Sequence, residues 1–268
     1  MWCEGCRGAR LQGCRGAGGW GSRGSRGGQR ESVKNFGFSF NFMETWITSD
    51  VHLGARQCRA DWFCAFLAQV PADVRLVLNG DVITRLRGEK SLPPGHTAAL
   101  DALRTLSLRQ EVIWIGGNHD RKTRLSGDHK IQFRRDYAIG NHLHIVHGDG
   151  FDHLSCRIRF ILLPIRVIYE FCTRVIGSQT HVTDFAKRFP AIYEILNGHV
   201  VRNATAYARE HGFAAVTCGH THHPGERVAN DVVYYNTGCW TEDSAHVLVA
   251  RDDGTLRLAR VGRGGELA

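Results

Sequence analysis

Residues 45–54 read TWITSDVHLG, a short run of strand-forming residues that stops at Asp50 and is followed two positions later by His52. Threonine, tryptophan and isoleucine favour a β-strand, and Gly54 permits a sharp turn after it. A carboxylate and an imidazole at one strand end are suitable ligands for a divalent ion. Taken alone the pair is a weak signal, because such an Asp also caps helices and such a His also lies on protein surfaces.

The same arrangement of a strand followed by a polar turn recurs along the chain. We predict further strands at VRLVLNGD (74–81), EVIWIGGNHD (111–120), HLHIVHGDG (142–150) and FAAVTCGHTH (213–222), with helices at 60–70 and 96–109 between the first three strands. Residues 231–261 carry strand patterns, which indicates an antiparallel part at the end. This order predicts an α/β fold. His142 and His144 alternate on their strand, and we expect them to line a solvated face.

The predicted strands end in side chains that can bind metals. These candidate ligands are Asp50, His52, Asp81, Asn118, His119, His147, His220 and His222. Because the carboxyl ends of strands meet at one edge of an α/β sheet, we expect the turns to converge. Oxygen and nitrogen ligands without a thiolate suit Mn, Fe or Zn, and eight such groups are too many for one ion. Two ions about 3.5–4 Å apart would share a carboxylate, clamp a phosphoryl group and activate water.

The motifs DVH, GD, GNHD, HGD and GHTH, in this order, resemble the calcineurin-like metallophosphoesterases over about residues 45–250. The resemblance implies a four-layer αββα sandwich of two mixed sheets with a dinuclear metal centre. It assigns Asp50, His52 and His222 to one ion, Asn118, His147 and His220 to the other, and Asp81 to a bridge between them. We expect two divalent ions as cofactors, Mn foremost, with Fe or Zn as alternatives.

The resemblance also implies two catalytic residues. His119 would contact the phosphate and protonate the leaving group, and Asp120 would orient His119. A hydroxide bridging the ions would attack phosphorus in line, so no covalent protein intermediate is needed. We expect Asp149 to support His147 as a hydrogen-bond acceptor.

The substrate prediction depends on a helical insertion at about 151–212. Its first part, FILLPIRVIYEFCTRVI (160–176), combines apolar residues with a charged stripe. This surface either packs on the core or forms a basic, apolar cap that docks against lipid. The insertion and the turn YYNTGCW (234–240) resemble the UDP-2,3-diacylglucosamine diphosphatase branch of the family. That branch splits a UDP-lipid sugar to UMP and a lipid sugar 1-phosphate in lipid A synthesis, which is our leading prediction.

The sequence differs from that branch in two ways, so a different enzyme activity remains an alternative. His119 stands where well-known members carry Arg, and it restores a proton donor for a poorer leaving group. Thr84 and Arg85 replace the acidic and aromatic residues that often follow the bridging Asp. The alternatives are a general phosphodiesterase or phosphomonoesterase with a soluble substrate, and a non-catalytic scaffold. Candidate substrate contacts are Arg121, Asp152, His153 and Arg157.

The composition of the chain indicates where the folded domain begins and ends. Residues 1–42 hold eleven glycines and +5 of the net charge of +8, which predicts a disordered Gly/Arg-rich leader. The only methionines are Met1 and Met43, so we hypothesise that translation starts at Met43 and that the leader is not translated. The metallophosphoesterase domain is predicted at 43–262, followed by a flexible tail at 263–268.

Charge, hydropathy and cysteine usage indicate the cellular location and the partners to expect. No run of about 18 uncharged apolar residues suggests a membrane span. The six cysteines after the leader show no CxxC pair and no regular framework, so we expect reduced thiols in a cytoplasmic protein. The mildly basic domain fits a phosphorylated, lipid-linked nucleotide and peripheral attachment to the inner face of the cytoplasmic membrane. We expect no nucleic-acid partner and see no sign of a protein partner.

Overall fold

Two mixed β-sheets form the framework, in a computed structural model that describes residues 43–84, 91–152 and 190–268. The first sheet has the order β11-β10-β1-β2-β3-β4. Strands β1 to β4 are parallel, whereas β10 and β11 are antiparallel to their neighbours. The strands span Glu44–Thr48 (β1), Val74–Asn79 (β2), Val112–Ile115 (β3), Gln132–Arg134 (β4), His246–Arg251 (β10) and Leu256–Arg260 (β11).

The second sheet has the order β5-β6-β7-β9-β8. Its three central strands are parallel, and each edge strand is antiparallel to its neighbour. The strands span Asp136–Ile139 (β5), Leu143–Val146 (β6), Ala215–Cys218 (β7), Gly225–Ala229 (β8) and Val232–Asn236 (β9). Both sheets therefore carry parallel strands whose carboxyl ends lie on one side.

Helices cover the outer face of each sheet. Helices α1 (Ala60–Gln69) and α2 (Pro94–Arg109) pack on the first sheet, and α3 (Pro190–Glu210) packs on the second. Along β1, Trp46 points to the helices and Ile47 to the other sheet, because successive strand residues face opposite sides. The layers are thus helix, sheet, sheet and helix, which confirms the predicted fold class.

The predicted central strands and both early helices are confirmed, but three edge strands were missed. These strands, β4, β5 and β8, are short and carry mostly exposed or half-buried residues. An edge strand needs no continuous apolar run, so its sequence gives little periodicity to detect. His144 also differs from its prediction, because α3 covers that face of β6 and buries the ring between Tyr207 and Phe213.

The last residues also depart from the predicted flexible tail. Val261 pairs with Leu267, and the amide of Gly262 donates to the carbonyl of Glu266 at 2.8 Å. Leu267 packs against the cluster between the first sheet and its helices. Residues 263–268 therefore fold back as a small turn anchored by an apolar side chain.

Several predictions lie outside the described residues. They are the leader at 1–42, the first helix of the insertion, Arg85, and the substrate candidates His153 and Arg157. No helix in the described ranges is long and apolar enough to cross a membrane.

Candidate metal centre

The carboxyl ends of β1, β2, β3, β6 and β7 meet at one place. Five candidate ligands there have left-handed backbone, which is uncommon outside glycine. They are Asp50 (φ 52°), His52 (φ 55°), Asp81 (φ 52°), His220 (φ 64°) and His222 (φ 54°). Such strain persists only where the surroundings impose it, and it concentrates at functional sites.

Backbone hydrogen bonds between the turns hold this geometry. The amide of Asp50 donates to the carbonyl of Gly80 at 3.0 Å, and the amide of His52 donates to the carbonyl of Asp81 at 2.9 Å. The amide of His220 donates to the carboxylate of Asp50 at 3.0 Å. The turns after β1, β2 and β7 are therefore locked to one another.

A first group of ligand atoms converges around Asp50. His222 Nε2 lies 3.2 Å from Asp50 Oδ1, and His52 Nε2 lies 3.8 Å from the same oxygen. The two Nε2 atoms are 3.1 Å apart. All three side chains are buried.

A second set of close contacts involves Asp81, His147, Asn118 and His220. His147 Nε2 is 3.3 Å from Asp81 Oδ2, and His220 Nδ1 is 3.1 Å from Asn118 Oδ1. Asp81 shares one cluster with Asp50 and His147, in which ligand atoms lie within 4.8 Å of one another. It shares a second such cluster with His52 and His119. Asp81 thus lies within ligand distance of members of both groups, as its predicted bridging role requires.

These separations fit bound ions. Two donor atoms that each lie about 2.1 Å from one ion, at right angles, are about 3 Å apart. Four pairs of candidate ligand atoms at the site lie 3.1–3.3 Å apart, which is nearly that spacing. The donor set of carboxylate, imidazole and amide suits divalent ions, as predicted.

The buried carboxylates raise the pKa of neighbouring imidazoles. Burial lowers the pKa of His147, but the hydrogen bond and charge of Asp81 outweigh it and raise the pKa overall. The pKa of His222 is raised in the same way by Asp50, against its burial. Two buried carboxylates therefore require positive charge nearby, which ions would supply.

Glycines leave room for the carboxylates against the backbone. A Cβ on Gly117 would lie 2.2 Å from Asp81 Oδ1, and one on Gly219 would lie 2.2 Å from Asp50 Oδ2. A Cβ on Gly80 would lie 2.3 Å from His147 Nδ1. Each distance is far below van der Waals contact, so these positions require glycine.

The ligand histidines also have partners on the side away from the centre. His147 Nδ1 lies 2.9 Å from the carbonyl of Asn79, and His52 Nδ1 lies 2.8 Å from the hydroxyl of Thr84. The thiol of Cys239 belongs to a cluster with His222 whose ligand atoms lie within 4.8 Å of one another. Sequence reasoning missed all three roles and assigned His147 to Asp149 instead. The only sequence signal for these roles was Thr84, which stands where the related branch often carries an acidic or aromatic residue.

The two predicted catalytic residues occupy different surroundings. The amide of His119 donates to Asp81 Oδ1 at 2.8 Å, and His119 Nε2 lies 3.9 Å from Asp81 Oδ2. The buried carboxylate of Asp120 instead accepts hydrogen bonds from the amides of Gly117 and Val82 and from the indole of Trp114. These contacts differ from the predicted bond to His119, because Asp120 points into the loop and not toward the imidazole.

The predicted substrate contacts are partly engaged with the protein. Arg121 forms an ion pair with Asp149. The carboxylate of Asp152 lies 3.2 Å from His220 Nε2. Asp149 therefore supports Arg121, and its predicted role beside His147 falls to the Asn79 carbonyl.

Several solved structures are distantly similar to this chain. Solved structures with similar folds include a conserved uncharacterized protein, a predicted phosphoesterase, from Streptococcus pneumoniae TIGR4, with 15% identity, coverage of 85% of this chain and 93% of that one, and a TM-score of 0.43. The phosphoesterase Yfce from E. coli has 16% identity, coverage of 84% of this chain and 96% of that one, and a TM-score of 0.42. A cold-active protein-tyrosine phosphatase from the psychrophile Shewanella sp. has 13% identity, coverage of 84% and 80%, and a TM-score of 0.43. No curated protein matches the chain.

A family model provides the decisive match. The model of the calcineurin-like phosphoesterases matches residues 43–224, which is more than half of the chain. The matched range contains every candidate metal ligand. The chain therefore belongs to the calcineurin-like phosphoesterase family and is a hydrolase that acts on phosphoric ester bonds.

Proposed function

We propose that the chain holds two divalent ions and hydrolyses a phosphoester or pyrophosphate bond. The phosphoryl group of the substrate would lie between the two ions and His119. The observation that carries the proposal is that Asp81 lies within 4.8 Å of ligand atoms of His52 from one group and His147 from the other. Asp50, His52 and His222 would hold one ion, and Asn118, His147 and His220 the other. When bound, the ions would neutralise phosphoryl charge and make hydroxide available near neutral pH. Mn is our first expectation, with Fe or Zn as alternatives.

The residues of this chain would bind and orient the phosphoryl group. His119 is placed by its amide bond to Asp81, and its side chain is 24% exposed, so a ligand can reach it. His119 Nε2 faces the centre and can hold a proton for the leaving oxygen. Asp120 would act indirectly, because its hydrogen bonds hold the loop that carries His119.

For the substrate, we propose a UDP-acyl-sugar such as UDP-2,3-diacylglucosamine, split to UMP and a lipid sugar 1-phosphate. The support is the sequence resemblance of the insertion and of YYNTGCW to that branch of the family. In the structure this turn lies against the site, since the amide of Trp240 donates to the carbonyl of Asp50 at 3.1 Å. A basic, apolar surface in the insertion would bring the enzyme to the cytoplasmic face of a membrane.

Two observations favour the second candidate, a phosphodiesterase or phosphomonoesterase with a soluble substrate. His119 provides an acid that a good leaving group such as a sugar phosphate hardly needs. Arg121, a candidate phosphate contact, is paired with Asp149. Both features suit an ordinary phosphoester at least as well as a UDP-sugar.

An assay of Mn-loaded protein separates the candidates. The substrates are UDP-2,3-diacylglucosamine, bis-nitrophenyl phosphate and nitrophenyl phosphate. Release of UMP from the lipid alone supports the first candidate, and rapid turnover of the simple esters without the lipid supports the second. No turnover of any of the three would favour a non-catalytic scaffold and contradict both.

A further inference from the structure

The ring of His220 lies between two oxygen atoms. His220 Nδ1 is 3.1 Å from Asn118 Oδ1, toward the centre, and His220 Nε2 is 3.2 Å from Asp152 Oδ2, on the outer side. The backbone of His220 is fixed independently by its bond to Asp50. The remaining freedom is the orientation of the ring and the nitrogen that carries its hydrogen.

Asp152 is held in place by the second sheet and its helix. It follows a short 3-10 helix, Asp149–Phe151, and its amide donates to the carbonyl of Asp149 at 3.3 Å. Asn203 of α3 donates to the carbonyl of Phe151 at 2.9 Å. The backbone on the amino-terminal side of Asp152 is thus anchored, so its carboxylate meets His220 from a defined position.

The chemistry of the two oxygens is unequal. A neutral imidazole carries one hydrogen, and a carboxylate is a stronger acceptor than an amide oxygen. The hydrogen therefore belongs on Nε2, facing Asp152, and the lone pair of Nδ1 is left pointing to the centre. Outer carboxylates of this kind fix the tautomer of a ligand histidine and make it more basic.

We propose that Asp152 is a positioning residue that sets the Nε2–H tautomer of His220 and strengthens it as a ligand of the second ion. This inference rests on the proposed two-ion function. The outer partners of His147 and His52 are a carbonyl and a hydroxyl. Asp152 is the charged partner among these three, so it adds an electrostatic control to the second ion site.

The first test uses metal-free protein and needs no activity. Long-range ¹H–¹⁵N spectra at about pH 8.5, above the ordinary histidine pKa of about 6.5, report the tautomer of each histidine. The signals of His220 are identified by their loss in His220→Gln. We expect Nε2–H in the native protein and a majority of Nδ1–H in Asp152→Ala, where Asn118 is the remaining acceptor. The same tautomer in both proteins would overturn the inference.

Two further variants make the result specific. Asp152→Asn keeps a neutral acceptor, so it should shift the tautomer less than Asp152→Ala. Asp149→Asn removes a carboxylate three residues earlier that pairs with Arg121, and it should leave the His220 tautomer unchanged. An equal shift in Asp149→Asn would reduce the effect to general charge and contradict a role for the Asp152 contact.

The second test is titration of the metal-free protein with Mn²⁺. Asp152→Ala should weaken one of two binding events by about 10–100-fold and leave the other unchanged. Two unchanged events would overturn the inference while leaving the proposed function intact. A native protein that binds no divalent ion would instead contradict the proposed function, and the tautomer experiment would still decide the role of Asp152.

Discussion

His52 and His222 face each other with their Nε2 atoms 3.1 Å apart, although they are 170 positions apart in the chain. Asp50 Oδ1 lies 3.2 Å from the second of these nitrogens, and all three groups are buried. Two imidazoles and a carboxylate thus bring three ligand atoms within 4.8 Å of one another. We interpret the point where they meet as the place of one ion.

Replacing Asp81 should abolish the site. In Asp81→Asn the two ligand groups lose their shared carboxylate, so binding of both ions and phosphoester hydrolysis should fall more than about 100-fold, beyond the effect of outer partners. Metal content and turnover of bis-nitrophenyl phosphate measure this. The matched control is Asp252→Asn on the exposed surface. Full activity in Asp81→Asn would contradict a two-ion centre.

Removing ions should destabilise the protein. A ligand that binds only the native state stabilises it by about 2.7 kcal/mol when its concentration is 100 times Kd. We therefore expect chelator-treated protein to unfold at a lower temperature and Mn²⁺ to restore the native transition. Differential scanning calorimetry with and without Mn²⁺ checks this, and Asp81→Asn should show no response to the ion.

Thr84 should support the first ion through His52. Thr84→Val removes the hydroxyl that lies 2.8 Å from His52 Nδ1 while keeping the shape of the side chain. We expect about a 10-fold loss of affinity for one ion, measured by Mn²⁺ titration. Thr84→Ser keeps the hydroxyl and should bind like the native protein. Equal losses in both variants would show that packing, and not the hydrogen bond, matters at this position.

Gly117 should be intolerant of any side chain. The Cβ of Gly117→Ala would lie 2.2 Å from Asp81 Oδ1, so the bridging carboxylate would have to move. We expect kcat/KM to fall more than about 10-fold, because small misplacements of reacting groups are costly. At Gly150 a Cβ meets nothing within 4 Å, which makes Gly150→Ala the control. Native activity in Gly117→Ala would mean that this contact does not fix Asp81.

His144 should make stability depend on pH. Burial lowers its pKa, although Asp136 opposes the effect, so the unfolded chain binds a proton more readily than the folded one. Stability should therefore fall as pH drops below about 6.5 and stop falling below the folded pKa. Urea unfolding of the metal-loaded protein between about pH 8 and 5 measures the free energy of unfolding on both sides of the ordinary histidine pKa. His144→Phe should flatten the curve relative to native protein, and His142→Gln, at an exposed position, should not.

The sequence by itself determined the central strands, the order of elements and the set of candidate ligands. These features are local: a buried strand shows as an apolar run, and the turn after it shows as glycine with polar residues. TWITSDVHLG contains both signals within ten residues. The edge strands escaped detection because a solvent-exposed strand carries no such run.

Only the tertiary structure decided which atoms meet. Thr84 reaches His52 across 32 positions, and Asp152 reaches His220 across 68, so no local pattern could reveal either pair. The same is true of His144, which lies on a strand as predicted but whose face is buried by a helix far along the chain, whereas His142 lies in the exposed turn before that strand. Periodicity fixes which residues share a face, whereas the packing of distant elements fixes what that face contacts.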